Sequence, residues 1–476
     1  MFIGREDELK FFEERYASKK AELIVLYGRR RVGKTELLRE FCKNKLHIFY
    51  SCLECNDRQQ LEAFSGKMLK TGIPAAKYVT SFTDWETAFK SMTEIPNGDN
   101  KKLIIIDEFP YMCKGNGSIP STLQTLWDES LRHENIMIVL CGSAMSFIEK
   151  ELLAEKNPLY GRATGIYKMK ELSFYDAVKF VPDYSDIDKI LTYAVLGGIP
   201  HYLNQFDSSL PLNENIKRNI LTKGCILYSE IEFLLRQELR ETAIYNTIIE
   251  AVALGNTKLN DIYTKTQIEK AKISVYLSNL NELEIVEREF SISDGVKETA
   301  NTQRGLYRLT DNFFCFWYKF VFTNYSELEN GDVAGVYEHM IRPYLNEYAS
   351  HMFEDICKEY MRELNKRSGL PFRYSKIGRW WGKNSKNAET EIDIMAVNNA
   401  LKNYIIGECK FKTKQFDVSD FNNLKSKYTP ANDYSKIYYY LFSKSGFTKE
   451  LLELQENSTN IFAVNLSSVV TNGIVF

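Results

Sequence analysis

The stretch "AELIVLYGRRRVGKTELLREFC", residues 21–42, decides how the chain begins to fold. Residues 23–27 are an unbroken apolar run of strand length, and residues 36–42 begin an amphipathic helical pattern. The turn between them fits G-x-x-x-x-G-K-[ST], with Gly28, Gly33, Lys34 and Thr35 at its fixed positions. Such a turn lets backbone N–H groups converge on phosphate at the positive end of a helix. Lys34 is then expected at the β- and γ-phosphates of ATP, and the Thr35 hydroxyl on Mg2+. Strand before and helix after separate this reading from a chance glycine-rich loop. Arg29, Arg30 and Arg31 inside the turn read as solvated charge and receive no role.

The complementary half of such a site lies further along. In "KKLIIIDEFP", residues 101–110, four apolar residues lead directly into Asp107 and Glu108. An all-apolar run suits a central parallel strand, whose two faces are covered by helices. Carboxylates at its carboxyl end stand where α/β sheets place their ligands. Asp107 is expected to hold Mg2+ through water, and Glu108 to orient or deprotonate the attacking water. A third strand, "NIMIVLCGSA" at 135–144, ends in Gly142 and Ser143. Ser143 is read either as a group reaching the γ-phosphate or its water, or as part of a simple turn. Arg162, in "PLYGRATGIYKMKELSF", is read as a γ-phosphate contact or as a solvated loop charge.

With 476 residues the chain exceeds one ordinary core, and about three domains are expected. Hydrophobic residues make up 44% and charged residues 26%, the balance of a soluble globular protein. A net charge of -2 does not announce nucleic-acid binding, so any such surface must be local. The start, "MFIGREDELK", is charged from its fifth residue and lacks an apolar leader core. No apolar run approaches the roughly 20 residues of a membrane helix. Nine cysteines lie without paired spacing, and Cys52 and Cys55 form a lone CxxC. A reducing cytoplasm, with no membrane partner, is the expectation.

Residues from about 171 to 235 show helical periodicity, which suits a lid over a nucleotide. From about 240 the pattern predicts three helices, then a strand, a polar loop and a returning strand in "GLYRLTD". That order is the winged-helix variant of helix-turn-helix. Lys265, Lys270, Lys272 and Ser274 lie at or near the start of its third helix, where a DNA reader presents contacts. Glu282, Glu284 and Glu287 crowd the other end, so the module reads as a DNA contact or as a hub within the protein. The aromatic run "FFCFWYKFVF", residues 313–322, reads as a buried helix joining this module to the C-terminal domain.

The last part carries a second concentration of chemistry. Residues 344–364 predict a helix with Glu347, His351 and Glu354 on one face. "EIDIMAVNNALKNYIIGECKFK", residues 391–412, reads as two strands around an Asn-rich turn. On a strand, Glu408 and Lys410 share a face, and pairing of the two strands brings Asp393 beside Glu408. Carboxylates held that close usually need a divalent cation, here Mg2+ or Mn2+. Lys410 would then stabilise charge developing on a phosphate, giving a site competent for phosphodiester hydrolysis. The bland alternative is an exposed hairpin with an ordinary Glu–Lys pair. From residue 372 to 415 there are nine Lys or Arg against four Asp or Glu, a local balance of +5. Tyr374, Trp380 and Trp381 stand among these charges, a mixture suited to a phosphate backbone with some stacking.

Taken together, "FIGREDELKFF", "GRRRVGKT", "IIIDEF", "CGSAMSFIEK", "PLYGR" and "LGGIPHYL" resemble the prokaryotic AAA-like ATPases of the archaeal ATPase family, relatives of the STAND signalling NTPases. The resemblance covers about the first 320 residues. It implies that Gly4, Arg5 and Glu6 lie near the adenine, and that the Gly197–Pro200 segment closes over the base through Pro200. The C-terminal part resembles the PD-(D/E)xK nuclease superfamily, in the DUF234-type form commonly fused to these ATPases. Asp393, Glu408 and Lys410 match that motif and Glu354 the acid of its first helix; "IGRWWG" at 377–382 is also similar. The departure is Glu391-Ile392-Asp393, which has no proline.

The resemblance implies an α/β P-loop NTPase core with an AAA-like parallel sheet at 1–165 and a helical lid at 166–238. A winged helix at 239–312 and a restriction-endonuclease-like α/β domain at 313–476 complete the chain. The expected function is an ATPase whose nucleotide state controls a metal-dependent DNA nuclease domain. The alternative is an ATP-switched regulator that binds DNA or protein through an inactive nuclease fold. ATP, DNA and a second copy of the chain are the expected partners.

Overall fold

The computed structural model describes residues 2–292, 305–384, 386–398, 400–429 and 436–472. The polar loop expected before "GLYRLTD" and Asn399 of the Asn-rich turn lie outside them. The chain divides into two compact units, Met1–Leu172 with Ile199–His201, and Ser173–Gly198 with Tyr202–Phe476.

The first unit is built on five parallel strands, β1 (Glu22–Tyr27), β2 (His47–Ser51), β3 (Lys102–Asp107), β4 (Ile136–Gly142) and β5 (Gly165–Lys168). Their order across the sheet is β2-β3-β4-β1-β5. Every residue of β1 and β4 is buried, so these strands carry no alternation of apolar and polar side chains. Polar chemistry is thereby displaced to the strand ends. Because β4 lies between β1 and β3, the residues after β4 stand between the phosphate-type turn and the acids that end β3.

The residues expected to form a lid are divided between the two units. Residues 173–198 belong with the second unit, and specific hydrogen bonds hold them there. The Phe174 N–H donates to Glu359 Oε1 at 3.0 Å, and the Tyr175 hydroxyl to the Val469 carbonyl at 3.2 Å. The helix Asp186–Leu196 accepts from the Tyr348 hydroxyl at Ala194 O, 3.1 Å, and from Asn312 Nδ2 at Tyr193 O, 2.9 Å.

Further along the second unit, helices Thr242–Ala253, Leu259–Thr266 and Lys270–Glu282 precede a two-stranded antiparallel ribbon, β6 (Val286–Glu289) and β7 (Leu306–Leu309). Ile248, Ile262, Ile273, Leu277 and Leu280 are among the buried apolar positions of these helices. The aromatic run is helical and buried, as expected. Trp317 Nε1 donates to the Tyr228 carbonyl at 2.8 Å, and the Tyr318 hydroxyl to Asn246 Oδ1 at 2.7 Å. The helix Leu345–Lys366 then packs on a mixed sheet of β8 (Lys376–Lys383), β9 (Glu389–Asn398), β10 (Asn403–Lys410), β11 (Ile437–Ser443) and β12 (Ile461–Asn465). Strands β8, β9 and β10 pair antiparallel, while β10, β11 and β12 run parallel. Just after β6, Ile292 N donates to Arg379 O at 2.8 Å and Ser291 Oγ to Trp381 O at 3.0 Å, so the ribbon is stitched to β8. Among the described residues, no helix is long and apolar enough to cross a membrane.

Glu359 gives the packing of residues 173–198 a pH signature. Burial pushes its carboxyl from 4.5 up to about 7, against the opposing pull of the Phe174 N–H. The folded chain therefore keeps this proton to higher pH than the unfolded chain, and stability is fullest below about pH 4.5 and declines as pH rises through 7. Glu359→Gln should flatten that decline in urea unfolding measured from pH 4.5 to 7.5. An unchanged slope would mean that the carboxyl is already hydrated in the folded state.

Candidate functional site

At the carboxyl end of the first sheet the phosphate-type turn has the backbone its sequence demands. Gly28 has φ +154°, and a Cβ there would lie 2.2 Å from the Met169 carbonyl oxygen. Gly33, φ +94°, caps the helix Lys34–Cys42. Lys34 is only 7% exposed; its ammonium donates to the carbonyls of Gly28 and Arg29, each at 2.9 Å. Burial lowers its affinity for the proton. The Thr35 hydroxyl donates to Asp107 Oδ2 at 2.8 Å, while Asp107 Oδ1 accepts from the Glu108 N–H at 3.1 Å. Glu108 takes a left-handed backbone, φ +53°, and the Ser143 hydroxyl lies 3.1 Å from both of its carboxylate oxygens.

The structure thus gathers Lys34, Thr35, Asp107, Glu108 and Ser143 at one end of the sheet. Ser143 is no simple turn residue, since its hydroxyl is tied to Glu108. Arg5, with φ +73°, sends Nη2 to the Val32 carbonyl inside the turn at 2.9 Å and Nη1 to Glu8 at 3.0 Å, so it braces the loop backbone. Pro200 packs beside the turn, its Cγ 3.8 Å from where a Gly33 Cβ would stand. Met169, which closes over Gly28, carries no sequence signal, because its contribution is a backbone carbonyl.

Arg162 is placed elsewhere. Its Nη2 pairs with Asp128 Oδ2 at 3.0 Å, and the nearby Thr164 N–H donates to Leu23 O at the start of β1. Lys34 follows the other end of that strand, and Leu23 to Tyr27 spans about 13 Å at ~3.3 Å per residue. Within its own chain Arg162 is thus an ion-pair partner of Asp128.

The second unit brings Glu354, Asp393 and Glu408 together. Glu354 is buried on the helix Leu345–Lys366, and Asp393 and Glu408 lie on β9 and β10 just beyond the paired residues Ile394 and Gly407. Asp393 Oδ2 accepts from the Cys409 N–H at 2.8 Å. Burial, then the charges of Glu354 and Glu408, push the Asp393 carboxyl up to about 7.

Each of the other groups already has a partner. Lys427 Nζ lies 2.6 Å from Glu408 Oε2, with side chains 14% and 17% exposed. Glu354 pairs with His351 at 3.3 Å and with Arg379 Nε at 3.6 Å. Arg379 also reaches Glu289 at 3.4 Å and Glu391 at 3.2 Å. Lys410 is paired with Asp420 and lies over the Phe416 ring. Among the described residues, no group of three or more His, Cys, Asp or Glu is arranged to hold a metal ion. The Mg2+ or Mn2+ site expected at Glu354, Asp393 and Glu408 is thus not assembled as the side chains stand. The physical reason is that Lys427 and Arg379 supply positive charge that the hairpin alone does not show.

Other expected contacts sort themselves by exposure. Glu347 is exposed. Tyr374 is only 8% exposed and offers no open stacking face, and the half-buried Trp380 ring meets that of Tyr428 edge-on at 5.3 Å. Lys265, Lys270 and Lys272 are exposed, with Lys270 over the Tyr263 ring at 5.1 Å. Ser274 is turned back onto its own helix, donating to Lys270 O at 2.9 Å.

Comparison with known proteins adds to this geometry. Residues 2–206 match a family described as an ATPase domain predominantly from Archaea, and residues 317–423 match one described as archaeal and bacterial proteins of unknown function. An uncharacterized protein of Methanocaldococcus jannaschii is 34% identical over 454 residues, covering 94% of this chain and 97% of its own. An uncharacterized ATP-binding protein of the same organism is 56% identical over 45 residues, 10% of this chain and 76% of its own. Among solved structures, a Walker-type ATPase of Pyrococcus abyssi is 20% identical with a TM-score of 0.49, covering 66% of this chain and 95% of that one.

Gly28 offers a direct check of the turn. In Gly28→Ala the new methyl would meet the Met169 carbonyl, forcing the loop to shift. Binding of a fluorescent ATP analogue should be lost while far-ultraviolet circular dichroism is unchanged. Retained binding would show that the loop moves at little cost.

Proposed function

The chain belongs to the ATPase family found predominantly in Archaea, and on that premise we propose that ATP hydrolysis switches a C-terminal domain that engages nucleic-acid phosphates. At the nucleotide end, Lys34 would leave the Gly28 and Arg29 carbonyls to meet the β- and γ-phosphates. Thr35 and Asp107 fit a magnesium ion, because a hydroxyl and a carboxylate already meet there at 2.8 Å. That ion would neutralise phosphate charge. Glu108 would take up the attacking water, and Ser143 holds Glu108 in the orientation required. Arg162, paired with Asp128 in its own chain, would serve the nucleotide of a second copy, which is why a homo-oligomer belongs in this reading.

For the C-terminal acids, holding a phosphodiester is favoured over cutting it. The observation that carries this is the pairing of Glu408 with Lys427 and of Glu354 with Arg379, which occupies the carboxylates a nuclease would give to metal. The local balance of +5 between residues 372 and 415, and the exposed Lys265, Lys270 and Lys272, support DNA as the polyanion. A metal-dependent nuclease is the second reading. It is favoured by the placement of three carboxylates, Glu354 on a buried helix position and Asp393 and Glu408 on two paired strands, in the pattern that chemistry uses.

Two measurements test these assignments. Glu108→Gln should lower kcat for phosphate release by about 10²–10⁴-fold and leave ATP affinity near wild type. A loss of affinity instead would make Glu108 a binding residue. Plasmid and linear DNA incubated with ATP and Mg2+ or Mn2+ should stay uncut with wild type, Lys34→Ala and Asp393→Asn alike, while binding should respond to ATP in wild type and Asp393→Asn but not in Lys34→Ala. Cleavage by wild type that disappears in Asp393→Asn would overturn holding in favour of the nuclease.

A further inference from the structure

The first sheet has a second charged end. Away from Lys34, the segments that enter three neighbouring strands converge, residues 19–21 before β1, 132–134 before β4 and 161–164 before β5. Between them lies a cleft of about 570 Å3, backed by the buried Trp127. Its lining carries four cations, Lys19, Lys20, Arg132 and Arg162, against two carboxylates, Asp128 and Glu134. Four less two leaves a surplus of +2, in a chain whose net charge is -2.

Both carboxylates are already engaged. Asp128 holds Arg162 at 3.0 Å, and Glu134 holds Lys102 at 2.8 Å. Among the described residues, no carboxylate pairs with Lys19, Lys20 or Arg132, and all three are exposed. Arg132 Nε donates to His133 Nε2 at 3.1 Å, and its two Nη groups make no hydrogen bond among the described residues. Like charges gathered around one cleft repel, and an anion relieves that repulsion. Two ammonium groups and a planar guanidinium suit phosphate, the first as point charges and the second as a fork for two oxygens. The volume falls within the ~300–1,000 Å3 of small-ligand sites. The positive charge is also confined, since Asp128, Glu129 and Glu134 belong to the same short segment. An extended polyanion would run onto those acids, whereas a compact one fits between them.

We propose that this cleft binds a pyrophosphate group, free or carried by a mononucleotide, through Lys19, Lys20 and Arg132. The site is distinct from the turn at residues 28–35, because it stands at the opposite end of β1. It does not call on Arg162, which stays with Asp128 as one wall. The bland alternative is a solvated basic rim, which attracts anions only diffusely and is screened by salt.

The test is equilibrium dialysis of inorganic pyrophosphate against the full chain at about 0.15 M salt, without divalent metal, and with Lys34→Ala as background to disable the other phosphate site. That protein should bind one pyrophosphate. Adding Arg132→Gln, or Lys19→Gln together with Lys20→Gln, should weaken binding by about 10-fold or more, the loss expected for a charge-assisted contact. Lys77→Gln, which removes an exposed lysine outside the cleft, should leave it unchanged. All three exchanges alter exposed side chains, and an unchanged melting temperature checks that each protein is folded. Repeating the dialysis with ADP separates the two sources: tighter binding than pyrophosphate assigns the group to a nucleotide, weaker binding to a free anion. If Arg132→Gln and the double lysine variant bind like their background, or Lys77→Gln weakens binding as much as they do, the cleft is a solvated rim and the proposal falls. If a single-stranded oligodeoxynucleotide displaces pyrophosphate at equal phosphate concentration, the surface belongs to nucleic acid and the proposal falls as well.

Discussion

One hydrogen bond sets the nucleotide end of the first unit: Thr35 to Asp107, 2.8 Å. It joins the first turn of the helix after β1 to the last residue of β3, although β4 runs between those strands. A sheet buried on both faces tolerates no charge along its length, so its polar groups must collect at the strand ends. They can meet there only if those ends stand level. Register supplies this, pairing Leu26 with Cys141 and Ile106 with Leu140. Glu108 then turns out of the strand in a left-handed conformation that costs about 1–2 kcal/mol for an ordinary residue. Ser143, arriving from β4, fixes its carboxylate once that turn is made.

The second unit handles charge differently, bringing carboxylates together and drawing cations to them from distant segments. Two acids show how local the outcome is. Asp355 is pushed up by burial, yet Lys358 and Arg308 hold its carboxyl down at about 2. Asp393 also suffers burial, but its near neighbours are Glu354 and Glu408, and it rises to about 7. The difference lies in which charge stands beside each carboxylate. Arg308 comes from β7 and Arg379 from β8, so the ribbon and the acid-bearing helix share a network of ion pairs.

What could be read in the sequence was whatever the chain writes locally. The phosphate-type turn is eight consecutive residues whose glycines are compelled by backbone geometry, and its strand and helix are contiguous with it. The apolar run into Asp107 and Glu108 is equally local. Asp393, Glu408 and Lys410 were legible because strand alternation and one hairpin suffice to bring them close. Lys427 was not, since nothing in a helix 19 residues after Glu408 marks which lysine will turn inward. Arg379 stood inside a noticed segment, but its partner Glu354 lies a helix away. The surroundings of Arg162 and of residues 173–198 were not legible for the same reason. Their positions depend on tertiary contacts with Asp128 and Glu359, which periodicity does not report.

The balance between holding and cutting turns on the cost of opening the acid cluster. Lys427 and Glu408 are both largely enclosed, and removing one member of such a pair strands a charge at about 3–5 kcal/mol. A divalent cation entering there must displace that ammonium and recover the loss by binding carboxylates. It would also have to expel the proton that Asp393 keeps to about pH 7. A phosphodiester faces a smaller barrier. It brings its own negative charge to Lys427 and Arg379, which need only be shared and not expelled. Arg379 already divides itself among Glu289, Glu354 and Glu391, so its guanidinium is built for sharing. An anion that binds here works with the charges in place, whereas a metal must first undo them.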